Sequence, residues 1–94
     1  MDEYLIRQRS VMRQLVCDYK QERLDLNALI QRLEGVSDVI GLESWKSAVF
    51  PIILAMEQVN AAMLEERRSY TSADKAVVES SLNELERLLQ LWQV

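Results

Sequence analysis

The sequence predicts an all-α fold, a single-domain antiparallel bundle of about four helices, and three observations carry that prediction. Its 94 residues include only two glycines and one proline, far fewer turn formers than a β-sandwich needs. Four segments repeat apolar residues at i, i+3, i+4 and i+7, the spacing of one helical face. The stretches between them are short, which makes successive helices antiparallel neighbours. A chain of this length forms one domain, residues 1–94, with one core. At 49% apolar and 28% charged residues, it is too hydrophobic for disorder and too charged for a membrane protein.

The first helix is expected from about Asp2 to Glu22, with Leu5, Met12, Leu15, Val16 and Tyr19 inward. Asp2 and Glu3 suit the positive end of its dipole. Asp25 reads as the N-cap of the second helix, and Leu26, Leu29, Ile30, Leu33, Val36 and Ile40 follow on one face. Gly41 reads as its stop. Gly35 lies inside that pattern at a cost of about 1 kcal/mol relative to alanine, which implies close helix packing or an early end at Glu34, with a hinge as the other reading. Ser44 is the expected cap of the third helix, which turns Trp45, Ala48, Val49, Ile52, Met56, Val59 and Met63 inward. Pro51 falls several residues inside it, lacks an amide donor and crowds the carbonyl of Ser47, so the helix is expected to kink or restart there. Thr71-Ser72-Ala73-Asp74 has the form of a capping box. Val78, Leu82, Leu85, Leu89 and Trp92 mark the inner stripe of the fourth helix.

Several kinds of chemistry find no residues here. Without histidine, the chain lacks the commonest general base and the commonest transition-metal ligand. With one cysteine, Cys17, a zinc site is not expected. Cys17 adjoins Val16 on the first helix and reads as a buried, inert thiol. No phosphate-cradling glycine loop is present. The reading is therefore a protein without catalysis, cofactor or metal. The longest apolar run, Ala48 to Met56, is broken by Pro51 and followed by Glu57, well short of the ~18 residues of a membrane span. The acidic N-terminus and the single cysteine point to the cytoplasm.

The net charge of −4 is unevenly placed. Residues 34–66 hold Glu34, Asp38, Glu43, Glu57, Glu65 and Glu66 against Lys46 alone. Glu34 and Asp38 are like charges one turn apart, an arrangement that costs a helix a few tenths of a kcal/mol. Acids steer the encounter with basic partners and aromatics anchor interfaces. The candidate partner-binding residues are accordingly Glu34, Asp38, Glu43, Trp45 and Glu57, facing a basic protein. The competing reading is that these acids are a solvated surface and Trp45 is core.

Two stretches carry a resemblance. They are Tyr19-Lys20-Gln21-Glu22-Arg23-Leu24-Asp25-Leu26-Asn27-Ala28-Leu29-Ile30-Gln31-Arg32-Leu33-Glu34-Gly35, and Trp45 followed by Met56-Glu57-Gln58-Val59-Asn60-Ala61. Together they resemble small helical bacterial immunity proteins, which protect a cell from its own colicin or contact-dependent growth-inhibition toxin. The likeness spans about residues 15–62 and is one of spacing. It implies a cytoplasmic, non-catalytic protein that binds a toxin domain, often a nuclease with a cationic cleft, and covers its active site through an acidic surface. Two other classes compete. One is a homo-oligomeric structural or adaptor protein joined through Ile6, Ile53 and Leu64. The other is a nucleic-acid-binding regulator that uses Arg7, Arg9 and Arg13, a reading disfavoured by the pI of about 4.8.

Overall fold

A computed structural model describes residues 3–91. Four helices follow one another, α1 (Glu3–Lys20), α2 (Leu26–Ile40), α3 (Glu43–Glu66) and α4 (Ser72–Leu91). Each packs on the next, and α1 returns to α4 to close the bundle. Side-chain bonds fix the alternating direction. Tyr4 Oη, at the start of α1, donates to the carbonyl of Val39 near the end of α2 (2.8 Å). Asn60 Nδ2, late in α3, donates to Asn27 Oδ1 at the start of α2 (3.0 Å). At the other end of α1, Tyr19 and Tyr70 share a hydroxyl hydrogen bond (2.9 Å).

The helix ends follow local chemistry. Asp25 caps α2 as expected, its side chain accepting from the Ala28 amide (2.8 Å). Gly41 closes α2 at φ 70°, a left-handed conformation for which glycine carries no Cβ penalty. The α4 start is a reciprocal capping box. The Asp74 amide donates to Thr71 Oγ1 (3.1 Å) and the Thr71 amide donates to Asp74 Oδ2 (3.0 Å). Asp74 also accepts from the Arg68 guanidinium in an ion pair, so a short carboxylate suffices where the commoner glutamate would reach further.

Other boundaries differ from the sequence reading. Helix α1 ends at Lys20, because Glu22 turns left-handed (φ 62°) and its amide bonds back to Tyr19. Helix α3 begins at Glu43 with Leu42 in the cap position and no side-chain cap bond. Ser44 therefore lies inside the first turn, because the left-handed Gly41 brings the chain round early. Gly35 neither ends α2 nor mediates close packing: the helix runs through it, and a Cβ there would meet nothing within 4 Å. Pro51 lies inside α3, which does not restart there.

Met12, Leu29, Leu33, Met56, Leu82 and Leu85 form the driest part of the core, drawn from every helix. Trp45, Val49, Ile52, Ile53, Met56 and Val59 of α3 are all buried in it. Among the described helices α3 alone is long and apolar enough to cross a membrane, although no uninterrupted apolar run in the sequence has that length. Cys17 is half-buried, not enclosed, and accepts from Gln21 Nε2 (3.4 Å). Trp92 lies outside the described residues.

Candidate functional site

The two-residue link Gly41-Leu42 holds α2 and α3 side by side. One outer edge of α2 presents Glu34 and Asp38, one turn apart. The facing edge of α3 presents Lys46, Phe50, Leu54 and Glu57, spaced by four, four and three residues along one face. Between them lies an open cleft of about 350 Å³ with Val49, Ile53 and Ser37 as its floor. Phe50 is 63% exposed and Leu54 37%, so a large aromatic stands in water among carboxylates.

The electrostatics are unusual for a surface. Glu34 is pushed up from 4.5 to about 7, first by a side-chain hydrogen bond with Glu57, then by burial, then by the negative charges of Glu57 and Asp38. Neighbouring carboxylates and partial burial both disfavour the ionised form of Glu34. Lys46 forms no ion pair among the described residues. It lies three helical turns from Glu57, about 16 Å along the axis, and does not neutralise the pair.

No family model, curated protein or solved structure matches this chain. The reading of the site therefore stands on its own geometry. Of the five candidate residues, the structure brings Glu34, Asp38 and Glu57 into one cleft. Glu43 is exposed in the first turn of α3, outside it. Trp45 is removed as a surface anchor: it is 2% exposed, and its Nε1 donates to buried Ser37 Oγ (3.3 Å). The exposed aromatic of the cleft is Phe50. Sequence could have shown this, because Phe50 and Leu54 fall off the stripe of Trp45, Val49, Ile52 and Met56, and an apolar residue off the core stripe faces water.

The rival surfaces come apart. Ile53 is in the core, which removes it from any subunit interface, and Ile6 and Leu64 sit near opposite ends of the bundle. Arg7 and Arg9 are separated by about 200° around α1. Arg9 turns inward, its Nε and Nη1 buried without a hydrogen-bond partner among the described residues, beside a cavity of about 20 Å³ lined by Leu5, Ile40, Trp45 and Leu89. The three arginines therefore do not share one basic face. Among the described residues no group of three or more histidine, cysteine or acidic side chains is placed to hold a metal ion.

Proposed function

We propose that this chain is a non-catalytic, cytoplasmic binding protein of the immunity type, which holds the cationic surface of a toxin domain against its α2–α3 face. The observation that carries the reading is the placement of Glu34, Asp38 and Glu57 around exposed Phe50 in one cleft. An aromatic anchor ringed by carboxylates matches a basic segment with apolar neighbours, the first giving contact area and the second steering and register. Self-association through the same face is disfavoured, since two copies would bring six carboxylates together.

The product of the adjacent gene is the first partner to test. Binding of wild-type protein and of Glu34→Lys/Asp38→Lys is compared by calorimetry, with the helical circular dichroism as the control for folding. Both residues lie off the buried stripe of α2, so the spectrum is expected to hold. Affinity is expected to fall about a hundredfold or more, the effect of reversing charges that meet desolvated cations. An unchanged dissociation constant removes this face, and dimerisation on a sizing column would then favour the oligomer reading.

A further inference from the structure

The charges along the cleft are not evenly spread. Helices α2 and α3 extend side by side away from the Gly41-Leu42 link, so distance from the link is a common scale for both walls. Close to the link, Asp38 on α2 and Lys46 on α3 offset one another. Further out come Glu34, one turn beyond Asp38, and Glu57, three turns beyond Lys46. Lys46 is the only base among the residues that line the cleft. The cleft is thus near neutral at the link and negative at its far end, with exposed Phe50 and Leu54 between.

The floor limits what can lie on it. Val49 and Ile53 carry no hydrogen-bonding side chain, and both walls are helices whose backbone groups bond within themselves. An extended segment would turn unpaired amides and carbonyls onto that apolar surface, which is costly. A helix pairs its own. The distance of about 16 Å from Lys46 to Glu57 is the length of about eleven helical residues, or three turns.

We propose that the cleft takes one amphipathic helix of the partner in a single orientation, its N-terminal turn and a lysine or arginine at Glu34 and Glu57, its C-terminal turn at Lys46. The inference rests on the reading of this cleft as the docking face. The occupant then runs parallel to α2 and antiparallel to α3. Two effects of the same sign set that direction. A helix carries about half a positive charge at its N-terminus and half a negative charge at its C-terminus, which suits the far carboxylates and Lys46 in turn. A base in the first turn adds charge-assisted hydrogen bonds to the same carboxylates. The reversed helix would set its negative end against Glu34 and Glu57. Apolar residues of the occupant at i, i+3 or i+4, and i+7 meet Phe50, Leu54 and the floor in either direction, so the charges alone choose between them.

The test uses two stapled synthetic helices of about 12 residues with the same apolar anchors. One carries lysines in its first turn and a glutamate in its last; the other has them exchanged. Stapling keeps both helical when free, and circular dichroism checks this. The first is expected to bind about tenfold tighter at low salt, with the difference shrinking near 1 M salt as exposed charges are screened. A nitroxide on its first residue is expected to broaden the amide signals around Glu57, and one on its last residue those around Lys46. Phe50→Ser, a change at an exposed position, reports whether the helix sits in the cleft.

Equal affinity of the two helices, or a single label that broadens both ends of the cleft or the wrong one, overturns the single orientation. Tighter binding of a proline-substituted, non-helical form of the first peptide overturns the helical occupant. In either case the docking face survives if Phe50→Ser still weakens binding. Peptides that do not bind, or that ignore Phe50→Ser, overturn the proposal and count against the docking face as well.

Discussion

Replacing Gly35 with alanine tests both the continuity of α2 and the absence of anything packed on that face. The residue lies within Leu26–Ile40, five positions before the helix ends. An added Cβ meets no atom within 4 Å, so no packing cost offsets the helical preference. The full difference between glycine and alanine in a helix interior, about 0.8–1.0 kcal/mol, is then available as stabilisation. For a domain of this size that raises the melting temperature by roughly 4–8 °C. Gly41→Ala is the internal control, the same substitution at the end of the same helix. Its left-handed φ of 70° would strain an alanine, and a loss of about 1–2 kcal/mol is expected. Urea denaturation followed by circular dichroism measures both, and comparable slopes confirm that only stability has changed. A lower midpoint for Gly35→Ala, with Gly41→Ala behaving as expected, refutes the reasoning. It would mean that α2 bends at Gly35, or that another surface closes on it.

Two further predictions concern the rest of the bundle. Thr71→Ala removes the hydroxyl acceptor from the α4 capping box and is expected to cost about 1 kcal/mol; a neutral result in urea would show that Asp74 holds the turn alone. Cys17→Ala is expected to cost less than about 1 kcal/mol and to leave partner binding intact, because the thiol is half-buried on the α1–α4 side, away from the cleft. Loss of binding by a folded variant would give the thiol a role.

The acid–base groups give stability a distinct pH profile. The Arg68 guanidinium holds the Asp74 carboxyl well below the usual carboxylate range, aided by the Thr71 amide. A depressed carboxyl contributes stability above its unfolded value of about 4, and that contribution is lost as pH falls further. Glu34 has the opposite sign. Raised from 4.5 to about 7, it contributes fully below about 4.5 and loses that contribution as pH rises toward neutrality. These two groups together place the most stable range at about pH 4–5. Urea midpoints at about pH 3, 4.5 and 7.5 check this, and Glu57→Gln is expected to lift the neutral limb. A wild-type midpoint that climbs steadily from pH 4.5 to 7.5 would contradict the sign assigned to Glu34.

Much of the bundle was legible because its determinants are local. The 3.6-residue repeat marked the inner faces, and Asp25, Gly41 and Thr71 with Asp74 marked three of the ends, each through a bond spanning at most four residues. Errors arose where a neighbour's conformation decided the outcome. Ser44 has the right side chain for a cap, but Gly41 started the helix one residue before it. Gly35 looked like a packing or ending signal, yet no other helix covers its side of α2. Cys17 adjoins the core stripe, and only the looser α1–α4 seam leaves it half open.

The candidate site divides along the same line. Sequence alone determined that the acids concentrate in residues 34–66, that no histidine accompanies them, and that Glu34 and Asp38 share an α2 edge. Those are properties of composition and of one helix. The helical stripe already set Phe50 off the core face, and tertiary structure buried Trp45 against Ser37, because two helices must meet before an interior exists. Tertiary structure also decided that Glu57, 23 positions beyond Glu34, lines the same cleft. Periodicity places a side chain on a face of its own helix, whereas the distance between carboxyls on different helices depends on how those helices pack.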